Sequence, residues 1–177
     1  MTDRLADCLP IVLISEGGFS DRPSDPGGAT MDGITLNTFM AYLGRSATVN
    51  ELRSITLAQV YNIYQREIWT PSHAGDCPPG LDLMVFDAAT NSGPGRAVRW
   101  LQQSVGVTAD GLVGPATLAA IAACRPATAI TLFQNLRLTF LHALSDAADN
   151  PGWFTRVVRT VSIAQKMAEA AAQPATS

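Results

Sequence analysis

The chain has 177 residues, of which 47% are hydrophobic and 15% are charged, and its formal net charge is −3. This apolar content is sufficient for a folded core without disulfide or metal support, and it excludes a disordered, highly charged tail protein. The negative charge argues against nucleic-acid binding, which depends on many cations that neutralise phosphates.

The N-terminal part of the chain predicts a helix followed by a long, turn-rich loop. Between Asp3 and Ser15 the apolar residues recur every three or four positions, as on one face of a helix, and the Gly17-Gly18 pair ends the pattern. Residues 17–33 are rich in Gly, Pro, Asp and Ser, which predicts a loop or a small hairpin. Because this segment is longer than a plain connector, a functional loop is favoured.

Threonines begin three predicted helices in the next part of the chain. These are Thr35 before residues 36–43, Thr48 in a capping box with Glu51, and Thr56 before residues 57–69. In the third helix Val60, Ile63 and Tyr64 share one face. Residues 70–80 contain three prolines and are predicted to form a loop.

The rest of the chain predicts five more helices. Their expected spans are 81–91, 94–105, 115–123, 126–148 and 153–171. The expected core positions of the fourth are Ile130, Phe133, Leu136, Leu141 and Leu144. No run alternates apolar and polar residues for long enough to indicate a long strand. The predicted fold class is therefore mainly α, with a small hairpin or loop insert after the first helix.

The segment from Asn91 to Pro94 is the best candidate for a boundary between two lobes. Its sequence is Asn-Ser-Gly-Pro, and helical patterns continue on both sides of it. We therefore expect two packed lobes, residues 1–93 and 94–173, rather than two domains on a linker. We also expect the protein to be a monomer.

Cysteines and histidines do not indicate a metal centre or a disulfide framework. Cys8, Cys77 and Cys124 share no metal-ligand spacing, and the two histidines, His73 and His142, lie far apart. The sequence therefore predicts no metal and no cofactor.

Membrane insertion and export by a signal peptide are likewise not expected. No stretch approaches the roughly 18 apolar residues of a membrane span. The apolar run Leu9–Ile14 is too short for the core of a signal peptide and is interrupted by Pro10. We therefore expect a protein that is cytoplasmic as synthesised.

Glutamates are scarce, which narrows the search for a catalytic acid. The fifteen acidic residues include four glutamates, namely Glu16, Glu51, Glu67 and Glu169. Glu16 stands at the end of an apolar helix and directly before two glycines, which would let a substrate approach the backbone closely. Burial in such a place raises the pKa of a carboxyl group, as a general acid requires.

Asp25 lies nine positions after Glu16, and two threonines, Thr30 and Thr35, follow it. A protonated glutamate that faces an ionised aspartate is the usual pair for glycoside hydrolysis. Thr30 and Thr35 could hold a water molecule or a sugar. Each residue also has a structural alternative, since Glu16 can be a solvated helix end, Asp25 and Thr30 can stabilise the loop, and Thr35 can cap a helix.

Further candidates lie later in the chain. Tyr64 is a candidate sugar contact, although packing in the core is the alternative. Asn91 would face a cleft if the two lobes flank one, or else it caps a helix. Asp87 on an apolar helix is more often a structural hydrogen-bonding group than a catalyst. Trp69, Trp100 and Trp153 are expected to pack in the core more often than to stack on sugars.

Several motifs in order resemble glycoside hydrolase family 108 and its companion predicted peptidoglycan domain. In the first half they are Glu16-Gly17-Gly18, Asp25-Pro26-Gly27-Gly28, Thr30, Gly33-Ile34-Thr35 and Asp87 through Gly93. In the second half they are Asp110-Gly111, Gly114-Pro115, Thr117 and Gly152-Trp153 with Arg156. The order Glu, Asp, Thr also resembles that of phage-type lysozymes, and Met31 departs from the more polar residue expected there.

The resemblance implies a lysozyme-like helical fold and an N-acetylmuramidase of phage endolysin type. Glu16 would be the catalytic acid, and Asp25 and Thr30 would assist it. From the residues themselves we further predict that Thr35, Tyr64 and Asn91 bind substrate. The partner would be the glycan strands of peptidoglycan, reached after release through a holin or an export system. A lytic transglycosylase and a non-catalytic peptidoglycan-binding module are the alternatives.

Overall fold

A computed structural model of the protein describes residues 3–21, 28–145 and 147–173. Within these ranges the chain forms nine α-helices and one three-stranded sheet, which confirms the mainly α, lysozyme-like class. Contacts divide the chain into two compact units, Asp3–Glu67 and Ile68–Ser177. The predicted lobes 1–93 and 94–173 stay a prediction.

Helix α1, Arg4–Glu16, forms where the sequence places an apolar face. Its buried residues are Leu5, Cys8, Leu9 and Val12, which lie three or four positions apart. The Asp3 carboxylate accepts a hydrogen bond from the Ala6 backbone N–H and begins the helix. Gly17 ends it with φ +80°, in the left-handed region that glycine tolerates best.

A small antiparallel sheet lies beyond α1 and confirms the predicted hairpin. Its strands are β1 (Phe19–Ser20), β2 (Thr30–Met31) and β3 (Ile34–Thr35), in the order β1-β2-β3. Asp32 and Gly33 connect β2 and β3 with φ of +50° and +76°. Two positive φ values in a two-residue connection are typical of a type I′ turn, for which Asp-Gly is a preferred sequence.

The other helices of the first unit begin at the predicted threonines. They are α2 (Leu36–Leu43), α3 (Val49–Arg53) and α4 (Leu57–Tyr64), capped by Thr35, Thr48 and Thr56 respectively. The single helix expected over 57–69 instead changes to a π-helix at Gln65–Trp69. A π turn widens the helix and alters the direction of the side chains after it, which helical periodicity does not reveal.

The second unit is an all-helical bundle. Its helices are α5 (Leu81–Ser92), α6 (Pro94–Ser104), α7 (Pro115–Ala123), α8 (Pro126–His142) and α9 (Pro151–Ala172). The expectation that α8 extends to residue 148 is wrong, because the chain turns after His142 and forms a short 3₁₀ turn at Ala147–Asp149. The first nine residues of α5 are buried, so this helix is the centre of the unit.

A buried ion network joins three helices of this unit. Arg137 of α8 donates a hydrogen bond to Asp87 of α5 over 2.5 Å, and Arg156 of α9 donates to the same carboxylate over 2.8 Å. Burial lowers the pKa of the Arg137 guanidinium, while the adjacent Asp87 charge opposes that shift. Asp87 is therefore a structural residue, as its position on an apolar helix predicts.

The Asp-Gly-Leu-Val-Gly-Pro segment is held by one buried side chain. Gln102 of α6 donates to the Asp110 carboxylate over 2.7 Å, and its own amide oxygen accepts from the Gly111 N–H over 2.8 Å. The Leu112 N–H and the Gln102 amide lower the pKa of Asp110 by stabilising its ionised form. This motif is therefore a turn that the Gln102 side chain holds in place.

In the described part of the chain, no single helix is both long and apolar enough to cross a membrane; the pair α7 and α8, bent by 117°, meets the criterion by length and composition only.

Candidate active site

Glu16 is the last residue of α1 and lies at the surface of the first unit. It is half-buried, and both glycines that follow it adopt positive φ, +80° at Gly17 and +71° at Gly18. These conformations turn the chain away from the helix directly after the carboxyl group. The acid thus stands where an apolar helix ends and the β1–β2 segment begins.

The turn between β2 and β3 lies against this carboxyl group. A Cβ atom placed on Gly33 would be 2.7 Å from Glu16 Oε2 and 3.2 Å from Glu16 Cδ. These separations are shorter than ordinary van der Waals contacts of a methyl group, so a side chain at this position would require the Glu16 carboxyl group or the turn to move. Gly33 is itself exposed, so the contact lies at the surface and not in the core.

Two hydrogen bonds hold the turn in this position. The Asp32 backbone N–H donates to the Gly18 carbonyl over 3.2 Å, which links the turn to the glycine pair beyond Glu16. The Tyr64 hydroxyl donates to the Asp32 carbonyl over 2.8 Å, across 32 positions of sequence. The turn is therefore attached both to the segment after α1 and to the end of α4.

Thr30 and Thr35 lie opposite each other in the sheet. They are paired residues of β2 and β3, so their side chains share one face of the sheet. Thr35 Oγ1 accepts from the Thr38 N–H over 3.1 Å, which makes it the cap of α2. The catalytic role of Thr30 and the substrate-binding role of Thr35 stay predictions.

Comparisons with known proteins indicate what such a site does. The family model of glycosyl hydrolase 108 matches residues 9–93, and that of a predicted peptidoglycan domain, PG_binding_3, matches residues 96–158. The chain is also similar to the solved structure of Brucella abortus SagA, with 37% identity, a TM-score of 0.83, and coverage of 96% of this chain and 98% of that chain. The chain belongs to glycosyl hydrolase family 108. Comparison with curated proteins gives no match.

Membership of glycosyl hydrolase family 108 confirms the family resemblance. Together with the peptidoglycan domain model, it supports a glycosidase of muramidase type that acts on peptidoglycan. Within the first unit of this family member, the structure brings Glu16 next to Gly33 and, through Asp32, connects that turn to Tyr64. Asp25 lies outside the described residues.

The remaining predicted site residues of this family 108 chain occupy different settings. Tyr64 is buried, with 3% of its surface exposed. Asn91 belongs to the second unit, is exposed in the last turn of α5, and accepts a hydrogen bond from Ser92 over 3.3 Å. Trp69 and Trp100 are buried, which confirms the core role expected for them, whereas Trp153 is half-buried.

Sequence reasoning missed two features of the family 108 site. The closeness of Gly33 to the acid was not predicted, although the Asp-Gly dipeptide signals the turn itself. The Arg53 guanidinium lies over the Phe19 ring, 4.0 Å from its centroid, and so places a cation beside the strand that follows Glu16. This contact joins α3 to β1, and no local pattern signals it.

Among the described residues of this chain, no group of three or more His, Cys, Asp or Glu side chains is arranged to hold a metal ion. A cavity of about 520 Å³ is lined by residues of the second unit only, Pro79, Arg125 and Glu169 among them. None of the predicted site residues contributes to its lining. The site is therefore built from the surface around Glu16 and not from this cavity.

Proposed function

We propose that this family 108 member is an N-acetylmuramidase. It hydrolyses the β-1,4 bond between N-acetylmuramic acid and N-acetylglucosamine in peptidoglycan, with Glu16 as general acid. The observation that carries the proposal is the contact between the Glu16 carboxyl group and Gly33, at the exposed edge of the sheet. There the half-buried acid lies beside an exposed glycine, where a glycan strand can approach it.

In this mechanism Glu16 protonates the glycosidic oxygen as the bond breaks. Positive charge develops on the sugar ring, and Asp25 stabilises it or orients the attacking water, with Thr30 assisting. Support for these two roles comes from the order of Glu16, Asp25 and Thr30 in the sequence. Thr35 and Asn91 are proposed as further contacts of the glycan, and the same mechanism needs no metal or cofactor.

Product analysis with a matched pair of variants tests the role of Glu16. Glu16→Gln keeps the size of the side chain but removes the acid, and we expect it to abolish release of soluble fragments from purified cell walls. The control is Glu67→Gln, because Glu67 is an exposed glutamate whose carboxylate pairs with the adjacent Arg66. Glu67→Gln should digest walls at the wild-type rate.

Three outcomes would contradict the proposal. Wild-type digestion by folded Glu16→Gln would exclude Glu16 as the acid. Anhydro-muramyl products, which lack the added water of hydrolysis, would indicate a lytic transglycosylase. Wall binding by the wild-type protein without release of fragments would indicate a non-catalytic binding module.

We also propose that the protein acts as a monomeric endolysin made in the cytoplasm, without membrane insertion. Support comes from the family match and from the resemblance of the motifs to those of phage endolysins. Expression in bacteria with and without a holin should then show lysis only when the holin is present. Lysis without a holin would favour a dedicated export system.

A further inference from the structure

Tyr64 is placed to control the position of the proposed acid without contacting a sugar. Tyr64 is buried, with 3% of its surface exposed, so almost all of its surface contacts the protein itself. Its hydroxyl donates to the Asp32 carbonyl over 2.8 Å. Asp32 in turn precedes Gly33, the residue that lies against the Glu16 carboxyl group.

The geometry around Gly33 shows how closely these groups approach. An ideal Cβ on Gly33 would be 2.7 Å from Glu16 Oε2 and 2.8 Å from the Tyr64 hydroxyl, so the two oxygens are at most 5.5 Å apart. Both oxygens therefore border the same small space beside the Gly33 Cα. A shift of the turn would change the room available to the carboxyl group.

Hydrogen bonds on both sides of Asp32 hold the turn in place. Asp32 has φ of +50°, the left-handed conformation that an Asp-Gly type I′ turn uses. Its N–H is bonded to the Gly18 carbonyl and its own carbonyl to Tyr64, so both sides of this residue are fixed. Of these two bonds, the one from Tyr64 comes from a side chain and can be removed by mutation.

We propose that Tyr64 is a positioning residue for the general acid: by holding the Asp32–Gly33 turn, it fixes the location of the Glu16 carboxyl group. The catalytic consequence depends on the proposed function of Glu16, whereas the positioning itself does not. This role differs from the sugar contact predicted for Tyr64 from the sequence. A misplacement of catalytic groups by about 1 Å can cost about 100-fold in rate.

The chain offers a matched control in Tyr61. Tyr61 lies on the same helix as Tyr64, and its hydroxyl donates to the Asp3 carboxylate over 2.8 Å. Asp3 caps the opposite end of α1 from Glu16, about 20 Å away by the rise of a helix. Tyr64→Phe and Tyr61→Phe therefore each remove one hydroxyl hydrogen bond from α4, but only the first affects the turn.

The first measurement separates catalysis from binding. We expect Tyr64→Phe to lower kcat on solubilised peptidoglycan by at least about tenfold, and Tyr61→Phe to change it less than about twofold. Binding of glycan strands is measured in the inactive Glu16→Gln background, where addition of Tyr64→Phe should leave the Kd within about twofold. An equal loss in Kd and kcat/KM would instead show a sugar contact and overturn the proposal.

The second measurement does not require activity. Labelling the glutamate Cδ atoms with ¹³C gives a simple NMR spectrum because the chain has four glutamates, and Glu16→Gln identifies the Glu16 signal. Tyr64→Phe should shift that signal, while Tyr61→Phe should not. An unshifted signal would overturn the positioning role. If Glu16→Gln retained activity but Tyr64→Phe still moved the signal, the proposed function would fail and the positioning would stand.

Discussion

Replacement of Gly33 by alanine adds one methyl group beside the proposed acid. The new Cβ would lie 2.7 Å from Glu16 Oε2 and 2.8 Å from the Tyr64 hydroxyl, so either these side chains or the turn must move. Gly44 provides the control, because its φ of +67° is close to the +76° of Gly33 but no atom lies within 4 Å of its Cβ position. The pair therefore separates backbone strain from crowding.

The expected free-energy changes follow from these two terms. The left-handed conformation costs a residue with a side chain about 1–2 kcal/mol, so both alanine variants should lose this amount of stability relative to the wild-type protein. Overpacking adds about 1–3 kcal/mol at Gly33 if its neighbours stay in place. If the Glu16 carboxyl group moves aside instead, the stability loss approaches that of Gly44→Ala, and the wall-digesting rate falls by about 100-fold.

The assay combines urea unfolding of both variants with fragment release from purified walls at a temperature where both are folded. We expect Gly44→Ala to be less stable than wild type but to retain its rate. Gly33→Ala should be less stable than Gly44→Ala, release fragments more slowly, or both. If the two variants had equal stability and both kept the wild-type rate, the contact between Gly33 and Glu16 would have no role.

Three further predictions concern the rest of the molecule. Asp87→Asn leaves the Arg137 and Arg156 guanidinium groups without their carboxylate and should lower the free energy of unfolding by about 3–5 kcal/mol in a urea titration. In the same titration Asp7→Asn, which removes the exposed ion pair with Arg4, should lower it by less than about 1 kcal/mol. Hydrogen bonds from Thr48 and Arg45 lower the pKa of Glu51 from 4.5 in the folded protein. Ionised Glu51 therefore stabilises the fold above pH 4.5, and this stabilisation is lost as the pH falls through the lower pKa of the folded state. Glu51→Gln should remove this part of the acid dependence of thermal unfolding. Because the net charge is −3, wall binding measured by co-sedimentation should change less than about twofold between about 50 mM and about 200 mM salt. A steep loss of binding would show that attraction between opposite charges holds the protein on the wall.

Local patterns predicted most helices because the signals lie within a few residues of what they control. The capping box at Thr48 forms as expected, with bonds that reach only three residues along the chain. Thr56 begins α4 as expected, and there Gln59 completes a second capping box. The Asp32-Gly33 turn is equally local. Glu16 was identified in the same way, from the apolar face before it and the glycines after it.

Long-range packing decided what periodicity could not. Among the core positions expected in α8, Leu136 is only half-buried, whereas the neighbouring Arg137 is fully buried. A guanidinium is stable there because the Asp87 carboxylate, 50 positions away, accepts its hydrogen bond. The partner is invisible to a pattern that considers each helix separately.

The sequence by itself determined the helical class and the family and led to the proposal of Glu16 as the acid, since each depends on short motifs in order. Only the tertiary structure placed Gly33 against Glu16 and the Tyr64 hydroxyl on Asp32. Tyr64 and Asp32 are 32 positions apart, and their meeting depends on how α1, α4 and the sheet pack together. Packing therefore defines the surroundings of the acid, because burial and crowding arise only when distant segments come into contact.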